Sequence, residues 1–288
     1  MNYSKLLLLC LLVSGFVACD NDDEDPDQDL VVQLSNLPTL NDGFQYEGWI
    51  IVDGAAISTG TFDATGNVTT SIDRTQLEDA TRYVLTIEPD PDPSANPSST
   101  HILAGDFNGN VAALTIGHSA ALGSDFTDAT GKYILATPTN GADTDENSGV
   151  WWLDNSNPPA VAGLSLPDLA DGWKYEGWAV IDGTPVSTGT FTRVDAADEA
   201  DEFSGDTPGP AYPGEDFLVN APDGLTFPTD LSEANVVISI EPDPDDSALP
   251  FFLKPLAHQV PANAEDHMVF DMENNIANTL ISGTATKR

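Results

Sequence analysis

The sequence predicts an all-β protein: two tandem antiparallel β-sandwich modules that follow a signal peptide and an acidic linker. Three observations predict it. A long pattern occurs twice. Tyr-Glu-Gly-Trp stands at Tyr46–Trp49 and at Tyr175–Trp178, each copy runs on into a similar return segment (50–62 and 179–191), and Ile-Glu-Pro-Asp-Pro-Asp follows at 87–92 and 240–245. Such a recurrence marks one structural unit used twice. The apolar runs are short, rich in β-branched and aromatic residues, and separated by Gly, Pro and Asp turn chemistry. No helical period persists over three turns.

The N-terminus is expected to be a targeting segment. Lys5 supplies a basic start, and residues 6–17 form an apolar stretch of signal-peptide length, too short to span a bilayer. Phe16-Val17-Ala18-Cys19 resembles a lipobox, with Phe16 where Leu is usual. Residues 1–19 therefore read as a lipoprotein signal peptide with Cys19 as the lipidated residue. The partner this implies is a membrane, reached through the N-terminal lipid. With Cys10 removed and Cys19 acylated, no thiol remains for a disulfide, a catalyst or a Cys-ligated metal. Seven of residues 20–29 are acidic, which predicts a disordered, self-repelling tether. An acidic run directly after a lipidated Cys resembles a surface-export signal, so the expected location is the cell envelope, on the outer membrane and exposed at the surface.

The first β module is expected over 30–139. Residues 45–52 form a strand that ends at Asp53-Gly54, a hairpin dipeptide, and 56–62 return from it. Residues 82–88 alternate and are stopped by Pro89. A further strand follows at 101–104, and a short helix is expected within 71–79. Polar residues 140–148 read as the linker. The second module, 149–288, places strands at 174–181, 186–191, 235–241 and 251–254, with a short helix near 265–275. The offset between copies is 129 at Tyr46/Tyr175 but 153 at Glu88/Glu241, so the second copy carries 24 additional residues. They fall in 198–224, a Pro/Gly/Asp-rich stretch expected to be a surface loop.

Period-2 alternation sets Tyr46 and Gly48 on one strand face and Glu47 and Trp49 on the other, and likewise Tyr175 and Gly177 against Glu176 and Trp178. The six residues Tyr46, Gly48, Trp49, Tyr175, Gly177 and Trp178 are expected to be structural. The tryptophans anchor a core, and the glycines admit a close neighbour. Glu47 and Glu176 are the odd members, and call for an edge position, a backbone donor or an Arg partner.

Charge and composition narrow the function. The formal net charge is −38, from 47 acids against 9 Lys and Arg, so nucleic acid is not an expected partner. No cofactor is expected. One cation site is a candidate: Glu88, Asp90 and Asp92, with Glu241, Asp243 and Asp245, place hard oxygen donors in Pro-stiffened turns of the kind Ca²⁺ accepts. Residues 143–149 with Asp154 faintly resemble a calcium loop, but the Gly comes one position late. The four histidines, His101, His118, His258 and His267, show no zinc spacing. Gly117-His118-Ser119-Ala120-Ala121 lacks the second Gly of a nucleophile elbow. No catalytic residue is assigned, and the chain reads as a non-enzyme.

The order Tyr-x-x-Trp-x-x-x-Asp-Gly, Ser-x-Gly-x-Phe, then Val-x-x-Ile-Glu-Pro and a Pro-containing turn resembles the extracytoplasmic C-terminal domain of anti-sigma-K factors. The matching segments are 46–62 with 84–104, and 175–191 with 237–253. The resemblance implies a β-sandwich associated with signalling across membranes. In that family sigma binding resides in a cytosolic N-terminal domain behind a transmembrane helix, neither of which is expected here. The expected function is therefore interaction or sensing in the envelope, with an unknown envelope protein or ligand and without direct sigma-factor binding. A calcium-stabilised adhesive surface protein and a hydrolase using the 198–224 loop are the alternatives.

Overall fold

The computed structural model describes residues 26–63, 66–141, 143–244 and 247–288. The signal peptide, Cys19 and residues 20–25 of the tether lie outside them. The first half of the chain forms β1 (Asp27–Ser35), β2 (Phe44–Val52), β3 (Ala55–Phe62), β4 (Asn67–Asp73), helix α1 (Arg74–Asp79), β5 (Arg82–Pro89), β6 (His101–Asn108), β7 (Val111–Thr115) and β8 (Gly131–Leu135). The second half forms β9 (Gly149–Trp151), β10 (Leu153–Asp154), β11 (Val161–Ala162), β12 (Trp173–Ile181), β13 (Thr184–Phe191), β14 (Gly214–Asp216), β15 (Asn235–Pro242), β16 (Leu256–Gln259), β17 (Phe270–Asn274), helix α2 (Ile276–Thr279) and β18 (Ser282–Lys287).

Two eight-stranded antiparallel sheets result, ordered β3-β2-β5-β6-β7-β18-β1-β4 and β13-β12-β15-β16-β17-β8-β9-β14. The all-β, antiparallel class agrees with the sequence reading. The end strands of each sheet come back beside one another, β3 near β4 and β13 near β14. Each sheet is thus nearly closed and barrel-like where a sandwich was expected. Strand twist accumulated over eight strands, sharpened by bulges at Gly48/Trp49 and Gly177/Trp178, curls a sheet until its ends meet.

The chain does not divide at 140–148 as the module boundaries predict. The sixth strand of each sheet comes from the other half: β18 lies between β7 and β1, and β8 lies between β17 and β9. The similar segments near 134–139 and 281–286 occupy equivalent places in opposite sheets. One core cluster runs through both, from Leu30, Tyr83 and Ala285 to Trp152, Tyr175 and Leu256. Phe126 meets Tyr175 edge-on at 6.5 Å, and Trp173 Nε1 donates to the His101 carbonyl at 3.2 Å. With the two strands exchanged, every strand of each sheet except the two end strands is paired on both sides.

The last residues fasten this exchange. Lys287 Nζ is buried, donates to the carbonyls of Ala80 (2.8 Å) and Glu78 (3.1 Å) at the end of α1, and sits 4.3 Å from the Phe107 ring centroid. Burial lowers its pKa, against the nearby charges of Asp79 and Glu78.

Other expectations need correction. Residues 27–29 belong to β1 rather than to a free tether, because Asp27 and Asp29 point outward while their backbone pairs with β4 at Asp73 and Ser71. Residues 251–254 form no strand, since the Phe251 amide goes to the Glu241 carboxylate and the Lys254 amide to Thr279 Oγ1, and only the Leu253 carbonyl accepts from β15. The strand starts only after Pro255, at β16. The helix near 265–275 is replaced by β17, with a single helical turn beyond it in α2. The helix within 71–79 forms as α1, capped by Asp73 Oδ1 on the Gln76 amide. Both hairpins turn on Asp-Gly pairs with positive φ at each residue: 51° and 82° at Asp53-Gly54, 51° and 83° at Asp182-Gly183.

Candidate functional site

The repeated motif builds the same set of contacts twice. Tyr46 and Tyr175 face the core and donate their hydroxyls to the carbonyls of Pro38 (2.8 Å) and Pro167 (2.7 Å). Trp49 Nε1 donates to Thr86 Oγ1 at 2.9 Å, and Trp178 Nε1 to Ser239 Oγ at 2.7 Å. Trp49 packs with Val84, Ala104 and Ala121 on the sheet face opposite the main core. A Cβ on Gly48 would overlap the Tyr83 hydroxyl and Thr59 Oγ1, and one on Gly177 would overlap Thr188 Oγ1 and the Trp152 indole. Glu47 and Glu176 find neither an edge nor an Arg. They are buried and accept hydrogen bonds from Ser58 and Ser187 of the return strands. Each serine also caps the glycine two residues on, Gly60 at 3.1 Å and Gly189 at 2.9 Å. Burial raises the Glu47 pKa, the Ser58 hydrogen bond opposes this, and Glu88 and Asp92 add to it.

Among the described residues the Glu-Pro-Asp turns commit their glutamates to loop amides. Glu88 is 1% exposed, and both its oxygens accept from the Ser98 amide, at 2.9 and 3.1 Å. Glu241 does the same for Phe251, at 2.9 and 3.0 Å. Each carboxylate thus closes its own loop, while Asp90 and Asp243 are exposed and Asp92 is half-buried. Asp92 accepts from the Ser94 amide, and Asp243 stands 3.8 Å from Lys174 Nζ. Asp245 lies outside the described residues. Among the described residues no group of three His, Cys, Asp or Glu is placed to hold a metal. The 143–154 resemblance is broken too, because Asp154 pairs with Lys132 at 2.7 Å, which holds its carboxyl at about 2.

The 198–224 stretch proves unlike a plain surface loop. It contributes β14, the eighth strand of the second sheet, and buries Phe203 and Phe217 against Phe227. It also carries three inward carboxyl groups. Asp216, fully buried, accepts from the Thr139 amide (2.7 Å), from Thr139 Oγ1 and from Trp151 Nε1 (2.7 Å). Glu215, 1% exposed, accepts from Ser204 Oγ and from the amides of Phe203 (3.2 Å) and Asp216 (2.9 Å). Asp198 accepts from the Gly214 amide at 2.8 Å. Burial pushes Asp198 and Glu215 up to about 7 against these hydrogen bonds, with the charge of Glu215 adding at Asp198 and that of Asp216 at Glu215. Asp216 is raised by the same cause. Beside them opens a cleft of about 640 Å³, lined by Asp198, Asp201, Asp206, Trp151, Thr207 and Tyr212 among others. The sequence marks this stretch as an insertion and a candidate hydrolase loop. Its acids alternate with Gly, Pro and Ser, so no periodicity betrayed which of them point inward.

The family described as Anti-sigma-K factor rskA, C-terminal, matches residues 20–102, from ahead of β1 to the start of β6. No curated protein and no solved structure matches the chain. No helix among the described residues is long and apolar enough to cross a membrane.

Proposed function

We propose that this chain is a lipid-anchored protein of the cell envelope, non-enzymatic, whose two sheets are both anti-sigma-K-like domains acting in interaction or sensing without binding a sigma factor directly. One observation carries the reading. The family match covers Tyr46, Glu47, Gly48, Trp49, Ser58 and Glu88, and the contacts these residues make recur at Tyr175, Glu176, Gly177, Trp178, Ser187 and Glu241 in the second sheet. The repeated groups are spent on one another and on backbone amides. They serve the framework, which leaves recognition to what differs between the sheets. Anchoring rests on Cys19 within its lipobox-like context.

The test is metabolic labelling with an alkyne fatty acid in cells expressing the full chain or Cys19→Ser, followed by residue-specific photo-cross-linking from the rim of the second sheet. Label on the parent alone, with one discrete cross-linked envelope partner, is the expected result. An unlabelled parent removes the anchor, and a parent that cross-links to nothing removes the interaction role.

A further inference from the structure

The closure of the second sheet is made by carboxyl groups. Asp216 joins β14 to the 137–140 turn and to Trp151 of β9, Glu215 ties β14 to Phe203 and Ser204, and Asp198 reaches the Gly214 amide. Together they hold 198–217 against the sheet. The charged groups facing them are acidic. Glu215 faces both Asp198 and Asp216, Glu146 faces Asp216 from the turn before β9, and Asp201 and Asp206 share the cleft with Asp198. The basic groups nearby are engaged elsewhere: Lys174 with Glu199 and Asp243, and His267 with Asp266 and Glu146. Among the described residues no ion pair reaches Asp198, Glu215 or Asp216.

We propose that segment 198–217 is a pH-operated clasp, shut on the second sheet when its inward carboxyl groups are protonated and loosened when they ionise. Three neighbouring carboxylates without a counter-cation repel one another and lose hydration on burial, so protons stabilise the shut form. The sign follows from linkage. Asp198 and Glu215 stand at about 7 in the shut form, against the ordinary carboxylate range when the segment is open. Between those limits the shut form binds more protons, so closure weakens as pH rises and stays weakened above about 7. Opening would uncover Phe203 and Phe217, an apolar surface that the shut state hides. The clasp stands independently of the lipid anchor and of any partner.

The experiment is amide hydrogen exchange on the intact mature chain, read as protection factors at Phe203, Gly205, Gly214 and Phe217 and corrected for intrinsic exchange. Protection should fall by about tenfold or more between about pH 5 and about pH 8 at these amides, and stay level in β5. Asp198→Asn with Glu215→Gln should flatten that slope. A parent with level protection, or a folded double variant with the parent's slope, overturns the proposal. Should the variant not fold, carboxyl ¹³C titration of the unaltered protein decides. Two midpoints near 7 support the clasp. Midpoints below about 5 at both residues overturn it.

Discussion

The two sheets share a strand order but are closed by different means. In the first, β1 pairs along its length with β4, from Asp27↔Asp73 to Gln33↔Asn67, and with β18 from Leu30↔Lys287 to Ser35↔Ser282. In the second, the equivalent places are filled by fragments: β9 pairs with β14 only over Gly214↔Trp151 to Asp216↔Gly149, and with β8 only at Ile134 and Leu135. The backbone bonds missing from this short ladder are replaced by Asp216, Glu215 and Ser148, whose side chains bind amides, hydroxyls and carbonyls of the surrounding segments. A ladder of amides is indifferent to pH, whereas a closure built from carboxyl groups is not. The copies thus kept one framework and diverged in how it is sealed.

The largest break in the comparison should come from deleting residues 282–288. This removes an interior strand from the first sheet, with buried Ala285 and the Lys287 anchor, and leaves β7 and β1 with unpaired edges. A loss on the order of 5 kcal/mol is expected, visible as collapse of the cooperative thermal transition. Because the core is continuous, the second sheet should melt with the first. Two well-separated transitions in the truncated chain would show that the exchange of strands does not couple the sheets.

A sharper comparison sets Gly48→Ala against Gly177→Ala. In the first sheet the added methyl meets the hydroxyl end of Tyr83 and Thr59 Oγ1, and Tyr83 is itself fully buried. In the second it meets the ring of Trp152, itself fully buried. Overpacking should cost about 1–3 kcal/mol, with Gly177→Ala at the upper end. Chemical denaturation of both variants measures the difference, and equal costs would mean that the two cradles yield alike.

How much was legible in the sequence follows from the same contrast. The hairpins β2–β3 and β12–β13 and the strands β5 and β15 could be read, because Asp-Gly turns, period-2 alternation and the repeat itself are local signals. The exchange of β8 and β18 could not. Residues 134–139 and 281–286 are similar in sequence, and nothing local says which sheet each strand will enter. The partner of Glu47 was missed for a related reason. Ser58 lies across the hairpin, and its role shows only once the bulge at Gly48/Trp49 shifts the register. The Glu-Pro-Asp turns misled in the opposite direction. Carboxylates dense in sequence looked like a cation site, while the fold had assigned the glutamates to loop amides.

That assignment gives the smallest of the expected effects and the closest match between sheets. Glu88→Gln and Glu241→Gln each replace a carboxylate that accepts from a backbone amide, Ser98 and Phe251, by a neutral acceptor of the same shape. The bond survives in weaker form, so each substitution should cost about 1–2 kcal/mol, read from urea midpoints at unchanged m-value. The amide geometry recurs but the neighbouring charges differ, Glu47 beside Glu88 and Lys254 beside Glu241, so Glu241→Gln should be the costlier of the two. Millimolar calcium should leave both melting curves where they are, because the oxygens a cation needs are already committed to amides. A calcium-dependent rise in the parent that disappears in Glu88→Gln alone would return the first turn to the status of a cation site, and would set the two sheets apart where their geometry is most alike.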